Sequence, residues 1–328
     1  MILQNPTHSF LGSFPWHTAK RFLRIAGITI PLGAWGFFLF KQLDQLQAYE
    51  WKISIPGLMG SLFLGTVYFL IMALGWALLL NNMAGIKKLV AFPTVMAMRV
   101  WLLTIMSRYL PGNVWHIFSR MTFADKLNVG KAQILSSSTM EQGLAVIGAM
   151  LVAAFSLPFW PLAALPREWL PNFMLLMLLF LLGLALLHPR ILGPIIRWAA
   201  FRLHKPELNW NFEYKTIIKF VLIYSLAAFF AGLALAAVIA GLGEFKANNL
   251  IFIIGSSALS WVVGYLSFIT PSGLGVREGV LTALLALIYP LPIAIVASLL
   301  FRVVCTLGEF LAMLAFLVFT SFITSTRD

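Results

Sequence analysis

Apolar positions in this chain come as unbroken runs of about 20 residues, not as a period-2 alternation or a one-sided helical stripe. Such runs match the length of α-helix that crosses a bilayer core. They predict full spans over residues 22–40, 57–80, 132–156, 172–187, 216–242 and 291–320. Two further runs are interrupted. The first, 90–108, stops at Arg108-Tyr109-Leu110-Pro111-Gly112-Asn113-Val114-Trp115-His116. The helix after it reaches only to about Ala124, roughly 20 Å at ~1.5 Å per residue, too short to cross. The second, 250–289, breaks at Pro271-Ser272-Gly273-Leu274-Gly275 and restarts at Val276 with Arg277 and Glu278 in the first turn. Proline and glycine end a helix and let backbones approach closely. Non-helical backbone at membrane depth is tolerated only where protein or a water-filled cavity satisfies it. Each interrupted run therefore reads as a re-entrant helical hairpin, over 90–124 and 250–289.

The fold expected is an all-α integral membrane protein of about six transmembrane helices plus two re-entrant hairpins. Its parts are a cytoplasmic lead (1–21), a first membrane repeat (22–156), an external connection (157–171), a second membrane repeat (172–320) and a cytoplasmic tail (321–328). The lead lacks an apolar core with a small-residue cleavage site, so no cleaved signal peptide is expected. Composition agrees: 61% of the 328 residues are hydrophobic and 10% charged.

The net charge of +12 is strongly basic. Nucleic acid is not the reading, because the cations cluster in short connections between apolar runs. With the N-terminus inside, the only Lys and Arg outside are Lys41, Lys52, Arg167 and Lys246. Arg99, Arg108, Arg277 and Arg302 lie within apolar runs, and the other 15 of the 23, Arg120 among them, fall inside. That asymmetry orients the chain in the cytoplasmic (inner) membrane with both termini cytoplasmic. It also puts the ends of the two hairpins on opposite sides, as an inverted repeat requires. Matched offsets support the repeat: Trp101 and Trp261 each precede a break proline by ten residues, while Glu141 and Arg302 follow those prolines by 30 and 31. Inverted halves with broken helices are the layout of many secondary transporters. The alternative, with every hairpin arm crossing, gives up to ten spans.

At these motifs the chain resembles the transmembrane (flippase) domain of bacterial lysylphosphatidylglycerol synthases and its stand-alone relatives. The residues that carry the resemblance are Tyr109 to Trp115, Glu141-Gln142, Pro271-Ser272-Gly273-Leu274-Gly275-Val276-Arg277-Glu278-Gly279, and Phe301-Arg302. Ser272 stands where the family often has Gly, and Val114-Trp115-His116 replaces the Gly-Glu common there. The family's soluble aminoacyltransferase part has no counterpart in this sequence, so synthesis of lysyl-lipid is not expected. The resemblance implies movement of a lipid, or of a lipid-linked (polyprenyl-phosphate type) intermediate, between leaflets.

Two constellations could carry that work. Half-helices starting near Asn113 and Leu274 would aim N–H groups and positive dipole ends into the protein centre, where they favour phosphate. Arg108 and Arg277 flank them, and guanidinium forks suit phosphate oxygens. The expected anion site comprises Arg108, Pro111, Gly112, Asn113, His116, Ser272, Gly273, Gly275 and Arg277. The plainer reading is that Arg277 pairs with Glu278 or Glu309 to make the break tolerable. The second constellation, Glu141, Glu278, Arg302 and Glu309, would gate or couple, with Glu141 and Arg302 pairing across the repeat axis. His116 could donate to a phosphate, or could simply pack among aromatics. No metal-ligand spacing, catalytic cluster or phosphate-binding loop appears, so no cofactor and no enzyme activity are expected. Any drive is then a gradient, a partner or mass action. Two readings of a different class remain: a non-transporting membrane subunit that holds a glycosyltransferase or similar enzyme through the basic stretch 188–219, and a membrane-embedded enzyme, for which no nucleophile and base can be placed from spacing. Ser136-Ser137-Ser138 reads as helix packing, and the single Cys305 excludes an internal disulfide.

Overall fold

A computed structural model describes residues 49–85, 91–109, 114–161, 214–267 and 271–325, with single positions at 40, 44 and 47. The expected spans 22–40 and 172–187 lie outside these residues, as do Pro111, Gly112 and Asn113, the lead, and most of the external connection and basic stretch.

The described residues are helical, with no strand among them. Helix α1 runs Ile55–Met83, with Pro56 in its first turn where a missing N–H costs nothing. Helix α2 (Ala91–Thr104) tightens into a 3-10 turn, Ile105–Tyr109, ahead of the first break. Beyond it come α3 (Trp115–Met121) and the single turn α4 (Ala124–Leu127), which Asn128 ends in the left-handed region at φ 53°. Helix α5 is Lys131–Ser156, and the Gln133 carbonyl accepts from the Gly130 N–H at its start. In the second half α6 is Tyr214–Gly241, α7 Leu250–Leu266, α8 Val276–Leu285 and α9 Leu291–Ser325.

Five helical stretches are long and apolar enough to cross a membrane: 55–83, 131–159, 214–241, 247–266 and 291–320. This is a multi-pass membrane protein. Four of the five fall on expected spans. The other is the first arm of the second interrupted run, whose 20 residues extend about 30 Å. Large apolar side chains such as Phe63, Phe155, Leu222 and Phe319 stay more than half exposed along these helices. That surface suits lipid, where burying them against one another gains little.

Small residues set the crossings. Helices α1 and α6 run antiparallel in close contact: a Cβ on Gly57 would lie 2.7 Å from Gly241 Cα, and one on Gly75 would lie 3.0 Å from the Tyr224 ring. Around this central pair the contacts mirror each other. Helix α5 packs on α6 and α9 on α1; α7 packs on α6 and α2 on α1; α7 also meets α5, and α2 meets α9. Gly148 lets α5 approach the α6 backbone at Ser225, and Gly232 lets α6 approach Ile254 of α7.

At the second break Ser272 and Gly273 turn left-handed, at φ 53° and 68°. There a Cβ on Gly273 would stand 2.8 Å from the Gly264 carbonyl oxygen. The chain thus folds back tightly, and α8 lies against both α7 and α9.

Candidate functional site

Both interrupted runs, together with α1, α5 and α9, line a cavity of about 70 Å³. Arg108, His116, Glu141, Gln142, Ser272 and Arg277 line it, among the rings of Tyr68, Phe69, Trp101, Trp261 and Tyr265. Trp261 and Tyr265, one turn apart on α7, stack at 5.4 Å with planes 13° apart. Five of the expected anion-site and gating residues thus meet on one surface, although 169 positions separate Arg108 from Arg277.

Three ion pairs brace the wall. Glu141, on α5, pairs with Arg120 of α3, and neither is exposed. Trp101 Nε1 donates to Glu141 Oε1 at 2.6 Å, and Arg120 donates to Ser138 Oγ at 3.2 Å. The Arg120 guanidinium lies over the Trp76 ring at 4.7 Å, which replaces hydration by a cation–π contact. Glu309, on α9, accepts from Arg108 Nη2 at 2.6 Å and from the Tyr109 hydroxyl at 3.1 Å. Glu278 accepts from the Gly275 N–H at 2.7 Å and lies 3.6 Å from Arg302 Nη1. Arg302 also donates to the Ser272 carbonyl at 3.2 Å, tying α9 to the break.

Arg277 is different. Its guanidinium reaches Cys305 Sγ at 3.9 Å and lies over the Phe301 ring at 5.2 Å, with no carboxylate partner among the described residues. The two acids that a plain pairing would use, Glu278 and Glu309, are engaged elsewhere. Gly264 leaves room for the Arg277 stem, since a Cβ there would lie 2.8 Å from Arg277 Cβ.

Three expectations are corrected. Glu141 does not pair with Arg302 across the halves: each pairs within its own half, Glu141 with Arg120 and Arg302 with Glu278. Arg120 is not a solvated loop cation but a fully buried one. A basic residue near the end of a short helix, followed by Asp125 and Lys126, has the composition of a loop. Its position four residues after His116, on the same helix face, was the available signal. The dipole site also weakens. Helix α3 has only 7 residues, and at the start of α8 the Glu278 carboxylate already takes the Gly275 N–H. An anion site here would rest on side chains.

His116, 4% exposed, sits on the cavity wall with Nε2 3.5 Å from Gln142 Nε2 and Nδ1 without a partner. Gly273 and Gly275 shape the break rather than line the cavity. Trp101, Tyr109 and the aromatic walls were not singled out as site residues from sequence, because an aromatic in an apolar run is indistinguishable from packing. Comparison with known protein families, with curated proteins and with solved structures gives no match.

Proposed function

We propose that this protein moves an anionic lipid, or a lipid-linked phosphate intermediate, between the leaflets of the cytoplasmic membrane, as a relative of the flippase domain it resembles. The observation that carries this reading is the Arg277 guanidinium, which has no carboxylate partner among the described residues and stands on a cavity within a bundle of membrane-spanning helices. Cations inside such bundles mark substrate pathways when they are not paired off. The two interrupted runs act as re-entrant hairpins; Arg108 and His116 of the first and Ser272 and Arg277 of the second reach the cavity. The antiparallel packing of α1 on α6, with the mirrored contacts around it, fits two halves of opposite topology. Alternating access then means rocking one half against the other around the cavity, with the intrahalf pairs Arg120–Glu141 and Glu278–Arg302 keeping each hairpin on its own long helix.

Reconstitution in vesicles containing a head-group-preserving fluorescent phosphatidylglycerol tests this. Dithionite, added outside, bleaches about half the dye in protein-free vesicles. With wild-type protein the bleached fraction should approach completeness, and Arg277→Gln should return it towards half. Bleaching that stays at half for every anionic lipid tried would sink the transport reading.

A further inference from the structure

Among the described residues the charges around the cavity do not cancel. Arg108, Arg120 and Arg302 are matched by Glu309, Glu141 and Glu278, which leaves the cation of Arg277 as the excess among the residues of this cluster. Arg99, on α2, is not on the cavity wall. Arg277 is also shared by a second, mostly apolar cavity of about 20 Å³ between α1, α5, α6 and α7, where alanines such as Ala145, Ala231 and Ala258 line it beside Tyr68, Tyr224 and Ser257. One side of this guanidinium therefore faces the more polar cavity and the other a smaller, mostly apolar one. A guest with its anionic atoms at Arg277 sets the first atoms of its apolar part beside the alanines, in a slot of roughly one or two water-sized positions.

From this we infer that the cavity selects a lipid phosphodiester carrying a single negative charge, with an uncharged, hydroxyl-bearing remainder to its head group. The inference rests on the transport reading above and names its cargo class. One negative charge neutralises the excess at Arg277, whereas a second is left uncompensated in a medium of low dielectric. A zwitterion would bring an ammonium into a wall that already holds Arg108 and Arg277. The remainder of the head group meets neutral donors and acceptors: the unpartnered Nδ1 of His116 and the Gln142 amide. Size limits it too. At ~10–15 Å³ of such volume per water, the cavity offers only about five to seven water-sized positions, enough for a phosphate with a glycerol and too few for an oligosaccharide.

The test is competitive lipid binding to the delipidated full chain, followed by native mass spectrometry. The probes are phosphatidylglycerol, phosphatidylethanolamine, phosphatidic acid and the deacylated diester glycerophosphoglycerol. Wild type should prefer phosphatidylglycerol by at least about tenfold, the equivalent of ~1.4 kcal/mol. Two variants remove the excess charge differently. Arg277→Gln deletes the cation, and Cys305→Asp keeps it but places a carboxylate where Sγ now lies 3.9 Å away. In both, the preference should fall to within about twofold. The aspartate variant adds a pair rather than removing a contact, so it reads the charge even if Arg277→Gln misfolds. Equal binding of all lipids by wild type, a preference for phosphatidic acid, or an unchanged preference in Cys305→Asp would overturn the charge matching and leave transport standing. Glycerophosphoglycerol binding as well as phosphatidylglycerol would keep the charge rule but overturn a lipid as its source. Retention of none of the probes would overturn both readings.

Discussion

The Arg120–Glu141 pair allows a sharp test, because it is dry on every side. Replacing Glu141 by Gln preserves volume and leaves an acceptor for Trp101 Nε1, now 2.6 Å from the carboxylate. What it removes is the countercharge of Arg120, which is 0% exposed and cannot turn to water. Breaking a buried pair from one side costs about 3–5 kcal/mol, because the surviving charge is left uncompensated. The Trp76 ring at 4.7 Å offsets about 1–2 kcal/mol at most. Expected for Glu141→Gln is therefore a loss of about 1–4 kcal/mol. Adding Arg120→Gln removes the orphaned charge and keeps amide donors near Ser138, so the double variant should recover to within about 1–2 kcal/mol of wild type. Reversible unfolding in mixed micelles, followed by tryptophan fluorescence, reads both numbers. A Glu141→Gln cost below about 1 kcal/mol, or costs that simply add in the double variant, would refute the pairing. Coupling of Glu141 to Arg302 instead would refute the arrangement of pairs within each half.

Further outcomes follow from single contacts. Gly232→Ala should cost about 1–3 kcal/mol in the same unfolding assay, since its Cβ would lie 2.6 Å from Ile254 Cα; Gly143→Ala, with nothing within 4 Å, should be neutral or stabilising by up to about 1 kcal/mol. Gly273→Ala combines φ 68° with a Cβ 2.8 Å from the Gly264 oxygen, so it should distort the break, lower the melting temperature and abolish lipid translocation. Tyr109→Phe deletes the hydroxyl that donates to Glu309 at 3.1 Å while sparing the Arg108 pair, and should cost about 1–3 kcal/mol by denaturation.

Local physics made much of the helical framework legible in the chain itself. Uninterrupted apolar runs leave the backbone no partner but itself, so α1, α5, α6 and α9 could be placed to within about five residues at their ends. The second break was equally readable, because Pro271 and the glycines around it act within a single turn. Arg277 and Glu278 could be placed in the first turn of α8 for the same reason.

Partner choice was another matter. Nothing in the spacing distinguishes Arg302 from Arg120 as the mate of Glu141; that depends on which face α3 lays against α5. The packing is settled by small residues that let particular backbones touch, such as Gly148 against Ser225 and Gly57 against Gly241. The same holds for Arg277. Its charge is plain in the sequence, but its lack of a carboxylate among the described residues follows only once α9 has given Glu309 to Arg108 and α8 has folded Glu278 onto its own first turn. The sequence by itself determined that the chain is a bundle of membrane-spanning helices with a broken helix carrying an arginine, because hydropathy and helix breaking act over one run or one turn. The tertiary structure alone decided which of the buried charges are spent on one another and which is left facing the cavity, because that balance is struck between helices far apart in the chain.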